Sequence, residues 1–283
     1  MKLPKDIAVV VRNALDEDIR GGDITAQLIP ADTNGVASVV CRESAILCGT
    51  AWFESTFHCL DSSCFITWNK GDGDQLEANE MVCKLEGPAR ALVTGERTAL
   101  NFLQTLSGTA TTTQRYLEYI NGTNAALLDT RKTIPGLRSE QKYAVLCGGG
   151  KNHRIGLFDG ILIKENHIAA VGSIAAAISK MRAQFADLPI EIEVESIEDI
   201  DAAITAGADM LLLDNFSVEH LREAVGLARG RVRLEASGGF EIDGIRAVAE
   251  AGVDFISVGA LTKHLKAVDF SMRLHLDVAS ADR

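Results

Sequence analysis

From about residue 110 onward, short apolar runs alternate with stretches of helical spacing, and each run stops in a polar or glycine cluster. The runs cover 125–129, 160–164, 190–195, 210–214, 232–236 and 254–258, with helical stretches at 173–185, 197–206, 217–228 and 242–251. Apolar runs of this length separated by helices read as parallel strands buried on both faces. The repeat of about 20 to 30 residues matches βα units of a barrel. Six runs fall short of the usual eight strands, so the spacing predicts an incomplete or distorted α/β barrel. Ala206-Gly207 and Ala251-Gly252 sit where helices must stop before the next strand.

This pattern decides where chemistry can occur. The C-terminal ends of successive parallel strands meet on one face, where barrels carry their functional groups. Here those ends are Asp129-Thr130-Arg131-Lys132-Thr133, Lys164-Glu165-Asn166-His167, Glu191 to Glu195, Asp214-Asn215, Ser237-Gly238-Gly239 and Gly259. Cations, acids and glycine turns thus converge, a combination suited to a heavily phosphorylated sugar.

The first hundred residues differ in style. Residues 36–93 read as β-rich, with candidate strands at 36–41, 64–68 and 89–93 and a tight turn at Gly71-Asp72-Gly73-Asp74. A helix is expected over 6–18, a loop over 20–25, and a second helix over 96–107. The expected division is an N-terminal domain over 1–109, joined by the C-terminal segment 269–283, and a catalytic barrel over 110–268.

Charge narrows the ligand. The chain carries a net charge of -11, which argues against nucleic acid as a partner. Residues 129–167 hold seven cations against four acids, a net +3, leaving -14 on the remainder. Cations concentrated in this way fit a compact anionic ligand. No apolar run approaches the roughly 20 residues of a membrane span, and residues 1–6 lead into an amphipathic stretch, so a cytoplasmic protein without a membrane partner is expected. The six cysteines have neither CxxC spacing nor close histidines and read as buried or idle thiols.

Individual residues admit sharper and blander readings. Arg131 and Lys132 follow the first strand directly; a guanidinium holds carboxylate or phosphate through two parallel bonds, whereas an ammonium is a point charge. The bland alternative is a solvated loop. Lys164 closes an apolar strand, where it could form a Schiff base or bind an anion, and the grouping of cations favours the anion. Gly148-Gly149-Gly150-Lys151-Asn152-His153-Arg154 lacks Walker spacing, so its glycines read as a helix stop while His153 and Arg154 remain extra donors. Glu191, Glu193 and Glu195 alternate with apolar residues and share one side of a strand; Glu193 or Glu195 should reach the site. With Asp214, such a carboxylate suggests Mg2+ or hydroxyl ligation. Ser237-Gly238-Gly239 and Gly259 follow the last two strands, where barrels bind phosphate through backbone N–H groups.

Together these motifs resemble the quinolinate phosphoribosyltransferases (nicotinate-nucleotide pyrophosphorylases, carboxylating) over nearly the whole chain. Carrying the resemblance are Glu17-Asp18 with Gly22-Asp23-Ile24-Thr25, Gly95 to Asn101, Asp129 to Arg138, Asn152-His153-Arg154, Lys164 to His167, Leu213 to Phe216, Glu235 to Gly239 and Ser257 to Thr262. The block from Asp129 to Arg138 is the most specific. The resemblance implies an N-terminal α/β sandwich beside an incomplete TIM-like barrel, and a homodimer that builds each site from two subunits. It also implies transfer of phosphoribosyl from phosphoribosyl pyrophosphate to quinolinate with decarboxylation, giving nicotinate mononucleotide, pyrophosphate and CO2 in de novo NAD biosynthesis.

Carried over residue by residue, Arg97 reaches the neighbouring site and, with Arg131, His153 and Arg154, grips the two quinolinate carboxylates. Lys132 and Lys164 face phosphoribosyl pyrophosphate, Glu193 and Asp214 lie near its ribose and a Mg2+ ion, held directly or through water, and Ser237, Gly238, Gly239 and Gly259 hold the 5-phosphate. The catalytic set is then Lys132, Lys164, Glu193 and Asp214. Lys263-His264 departs from the commoner His-Ser after the threonine, so nothing beyond Thr262 is carried over. Three rivals stand beside this reading: a phosphoribosyltransferase acting on nicotinate, a Schiff-base aldolase using Lys164 or Lys132, and a phosphosugar sensor without turnover.

Overall fold

A computed structural model describes residues 2–276; the part of the expected C-terminal segment at 277–283 lies outside the described residues. In chain order the elements are α1 (Ile7–Ile19), β1 (Asn34–Cys41), β2 (Ala45–Ile46), α2 (Thr50–Leu60), β3 (Phe65–Trp68), β4 (Gln75–Leu76), β5 (Met81–Pro88) and α3 (Ala89–Ile120). There follow β6 (Ala126–Leu128), α4 (Arg138–Cys147), β7 (Ile161–Ile163), α5 (Glu165–Val171), α6 (Ile174–Gln184), β8 (Ile190–Val194), α7 (Glu198–Thr205) and β9 (Met210–Asp214). The last are α8 (Val218–Ala228), β10 (Arg233–Ser237), α9 (Ile245–Glu250), β11 (Phe255–Ser257), α10 (Ala260–Lys263) and β12 (Phe270–Leu276).

The chain forms two compact units. One takes the described parts of Met1–Thr112, Ser139–Gly149 and Leu265–Arg283, the other Thr113–Arg138 and Gly150–His264. The segment 139–149, which the sequence places within the barrel stretch, therefore groups with the first unit. Its helix α4 is buried on nearly every side, and the Tyr143 ring packs tilted against Trp52 of α2 at 5.4 Å while its hydroxyl donates to Asp72 at 2.9 Å.

The first unit is built on a four-stranded antiparallel sheet, ordered β12-β1-β5-β3. Alternate residues of β1 (Ala37, Val39, Cys41) face inward and meet Phe53 and Phe57 of α2 and Leu92, Ala99, Leu100 and Leu103 of α3. The rings of Phe53, Phe57 and Trp68 pack edge-on at 5.0–5.3 Å. Each fully buried aromatic ring of this kind contributes roughly 2–3 kcal/mol. β12 returns from the end of the chain to pair with β1 along its whole length.

One expected strand is overturned. Residues 89–93 begin the 32-residue helix α3 instead, and the strand is the preceding β5. Pro88 offers no N–H to extend a ladder, and Ala, Arg and Leu are strong helix formers. The apparent alternation at 89–93 is the inward stripe of a helix, with Ala89 and Leu92 buried.

The second unit is an all-parallel six-stranded sheet, ordered β6-β11-β10-β9-β8-β7. All six expected strands are present, and β6 and β7 end the order, so the barrel is incomplete. Its strands carry Leu127, Ile163, Ile190, Ile192, Leu211, Leu213, Leu234, Ala236 and Ile256 fully or almost fully buried. At the free edge of β6, Lys151 makes an isolated parallel bridge to Leu128. No helix of the described residues is long and apolar enough to cross a membrane.

Candidate active site

Parallel register brings the strand ends level. Leu128, Ser257, Ser237 and Asp214 lie side by side across β6, β11, β10 and β9, while Glu193 stands opposite Leu212, one inward-facing position deeper. The residues immediately beyond these points form the face expected to carry the chemistry.

Lys164 sits at the junction of β7 and α5, where its N–H donates to His167 Nδ1 at 2.9 Å and fixes the turn. Its ammonium bonds Glu193 Oε2, so a half-exposed cation caps a carboxylate only 7% exposed. Burial pushes the Glu193 carboxyl above its usual range, Lys164 draws it back, and the charges of Asp214 and Glu165 push it up again. Carboxylate oxygens of Glu165, Glu193 and Glu195 lie within 4.8 Å of one another. Such carboxylate oxygens are the hard ligands that Mg2+ accepts, and Asp214 acts on Glu193 through its charge. Of the two candidates at the sugar, Glu193 is the buried, lysine-paired one, while Glu195 is exposed.

Asn215, beside Asp214, adopts a left-handed conformation (φ 57°); its N–H donates to Ser237 O at 2.8 Å and its side chain to Asp214 Oδ2 at 2.8 Å. This ties the ends of β9 and β10 together and places Gly238 within reach of Asn215: a Cβ there would lie 3.3 Å from Asn215 Oδ1. Gly239 faces open space. A Cβ on Gly259 would lie 3.0 Å from Lys132 Cδ, so the glycine makes room for the lysine stem. Thr262 donates to Lys132 O at 2.8 Å, and the Lys132 N–H donates to Thr130 Oγ1 at 3.1 Å, which fixes the loop beyond β6.

Arg138 braces the same loop, donating to Thr133 Oγ1 (3.2 Å), Arg131 O (3.3 Å) and Ile155 O (3.2 Å). Arg131 Nε is buried without a hydrogen-bond partner among the described residues. Arg154 is anchored by Nη1 on Gly160 O at 3.2 Å; burial and the like charge of Arg131 hold its guanidinium below its usual range, partly offset by Glu191 and Asp159. Two guanidiniums that feel one another, one with an unsatisfied buried donor, favour an anion with several oxygens. Fully buried Asp129 holds the strap that carries Arg154, accepting from Asn152 Nδ2 at 2.5 Å and the His153 N–H at 2.9 Å.

At the strand ends of the second unit Lys132 lies against Gly259, Lys164 caps Glu193 with Asp214 near enough to act on its charge, and Asn215 ties Asp214 to Ser237 beside Gly238 and Gly239. Arg131 lies in the loop beyond β6, where its carbonyl accepts from Arg138, Arg154 reaches Gly160 just before β7, and Arg97 is exposed on α3 in the first unit. The ring of His153 points to Glu191 and Glu235. Sequence reasoning missed Glu235, although a carboxylate inside the apolar run 232–236 is itself a signal of function.

Models of the N-terminal and C-terminal domains of quinolinate phosphoribosyl transferase match residues 23–107 and 109–273. The chain belongs to the quinolinate phosphoribosyltransferase family. It is 42% identical over 267 residues to the probable nicotinate-nucleotide pyrophosphorylase [carboxylating] of Bacillus subtilis, covering 94% of this chain and 92% of that protein. It is 40% identical over 274 residues to the Mycobacterium leprae enzyme of the same name, covering 93% and 95%. Among solved structures, the nicotinate-nucleotide pyrophosphorylase from Francisella tularensis superposes with a TM-score of 0.94 at 49% identity, covering 97% and 98%. The N-terminal model covers β1 to β5 and most of α3 of the first unit, and the C-terminal model covers the parallel sheet together with α4 and the start of β12, which group with the first unit.

Proposed function

We propose that the protein transfers phosphoribosyl from phosphoribosyl pyrophosphate to quinolinate with loss of CO2, giving nicotinate mononucleotide and pyrophosphate for de novo NAD biosynthesis. One observation carries the reading: Arg131 lies close enough to Arg154 for their like charges to act on one another, and the buried Arg131 Nε has no hydrogen-bond partner among the described residues. A ring with two adjacent carboxylates supplies acceptors for both arginines, and nicotinate, with one, would leave a desolvated cation unpaired.

Arg131 and Arg154 take the carboxylates, with His153 at the base of the pocket and Arg97 of the partner subunit completing it in a homodimer. Lys132 and Lys164 face the pyrophosphate and ribose, and the turns at Ser237-Gly238-Gly239 and Gly259 take the 5-phosphate. Glu193 and Asp214 would hold Mg2+, directly or through water; the ion, when bound, offsets charge on the leaving pyrophosphate. The pyridine nitrogen forms a bond to the anomeric carbon as the carbon–oxygen bond breaks, and pyrophosphate departs with the electron pair. Lys132 and Lys164 stabilise that departing charge, and Glu193 faces the positive charge gathering on the sugar. The ribosylated ring is then cationic and accepts the electrons of the breaking carbon–carboxylate bond; the ring carbon takes a proton as CO2 leaves. Holding two mutually repelling anions side by side is the main task of the site.

A cytoplasmic location belongs to the same proposal, supported by six free cysteines. The test is release of CO2 and pyrophosphate with phosphoribosyl pyrophosphate and Mg2+, run with quinolinate, with nicotinate, and with chelator. Equal amounts of both products from quinolinate alone, lost on chelation, are expected. Pyrophosphate without CO2, or turnover of nicotinate, refutes the substrate assignment.

A further inference from the structure

Beneath the strand ends lie two carboxylates that the reaction above does not use, Glu191 and Glu235. His153 Nε2 lies 2.9 Å from Glu191 Oε2 and 3.5 Å from Glu235 Oε2. Glu191 is 5% exposed and Glu235 is completely buried. Glu191 Oε1 and both oxygens of Glu235 have no hydrogen-bond partner of normal geometry among the described residues, although Ser257 and Glu191 lie near enough to Glu235 to act on its carboxyl. Two carboxylates inside a barrel are costly and persist only where something requires them.

The other ring nitrogen shows what that is. His153 Nδ1 accepts the Arg154 N–H at 2.7 Å. An imidazole whose Nδ1 accepts must carry its hydrogen on Nε2, so it presents a donor to Glu191. That tautomer also argues against a metal ion among these groups, because an ion would need the Nε2 lone pair. The ring therefore bridges the barrel interior and the main chain at Arg154, whose guanidinium bonds Gly160 O and feels the like charge of Arg131.

We propose that Glu191 and Glu235 are positioning residues: they orient the His153 ring, which in turn fixes the main chain at Arg154 and so the carboxylate pocket. This rests on the quinolinate reading above. Glu191 accepts from Nε2–H, and Glu235 backs it, its carboxyl kept neutral by burial and by the charge of Glu191. The arrangement is the carboxylate–histidine pairing that fixes tautomer and ring direction elsewhere, here directed at a substrate-binding arginine.

Two readouts test it. In 15N-histidine NMR, the His153 signal, assigned by its absence in His153→Asn, is expected to show the Nε2–H tautomer; a Nδ1–H or doubly protonated ring overturns the proposal whatever the protein turns over. Calorimetry then compares Glu191→Leu, which keeps bulk and removes the acceptor, with Glu191→Gln, which keeps an acceptor. The expectation is a quinolinate Kd raised about tenfold or more by Leu and restored to within about threefold by Gln, with the Kd of phosphoribosyl pyrophosphate unmoved in both. Equal weakening of both ligands, or no effect of Leu, overturns it. Wild-type protein that does not bind quinolinate at all sinks the functional reading instead, and leaves the tautomer result standing.

Discussion

Replacing Glu235 by Gln keeps the shape of a completely buried side chain and removes only its capacity to ionise. Burial, and then the charge of Glu191, push the Glu235 carboxyl from 4.5 up to about 8, with His153 pulling the other way. The native state therefore holds a proton between these values that the denatured chain has released. Stability from this group is fully present below about pH 4.5 and is lost as pH rises through about 8. At about 1.4 kcal/mol per pH unit, the loss amounts to at most on the order of 5 kcal/mol. Because Gln cannot ionise, Glu235→Gln should lack this slope, so the variant gains on the wild type by several kcal/mol between pH 5 and pH 9. Urea denaturation followed by far-UV circular dichroism at pH 5, 7 and 9 measures the difference, and 13C NMR of the carboxyl gives the midpoint directly. Parallel pH dependence in the two proteins, or a Glu235 midpoint in the ordinary carboxylate range, refutes the reasoning.

Glycine substitutions in two helices should have opposite signs. Gly108→Ala in α3 places a Cβ 2.3 Å from Lys266 O, and this backbone clash outweighs the ~1 kcal/mol helix-propensity gain; Gly226→Ala in α8 meets nothing within 4 Å and should gain most of that amount in urea titrations. Asp129→Ala strips the acceptor from Asn152 and the His153 N–H; calorimetric unfolding should show a loss of roughly 2–4 kcal/mol, with weaker quinolinate binding. Lys164→Met leaves Glu193 buried without its cation, and turnover should fall by roughly 100-fold or more while circular dichroism stays native; near-normal kcat/KM would remove Lys164 from the chemistry.

The barrel was the most legible part of the chain, because strands buried on both faces spell themselves as continuous apolar runs. The first unit was harder. At 89–93 period-2 and helical spacing cannot be told apart over five residues, and Pro88, the better signal, lies just before them. At the site, the cations stood out because each follows an apolar strand, as Lys164 follows Ile161–Ile163. Glu191 was visible only as one of three alternating acids and Glu235 only as a carboxylate inside an apolar run, since nothing local says which buried carboxylate meets a histidine distant along the chain.

The sequence by itself determined the α/β class, the six parallel strands, the face on which their ends meet and the residue types gathered there, since periodicity and strand-end position are local properties of the chain. Only the tertiary structure decided that β12 completes the first sheet, that α4 packs in the first unit, that Glu193 is the carboxylate capped by Lys164, and that His153 turns toward Glu191 and Glu235. Each of these is a pairing between residues distant along the chain. Such pairings are chosen by burial and by the need to partner desolvated charges, and neither exists until the chain has folded.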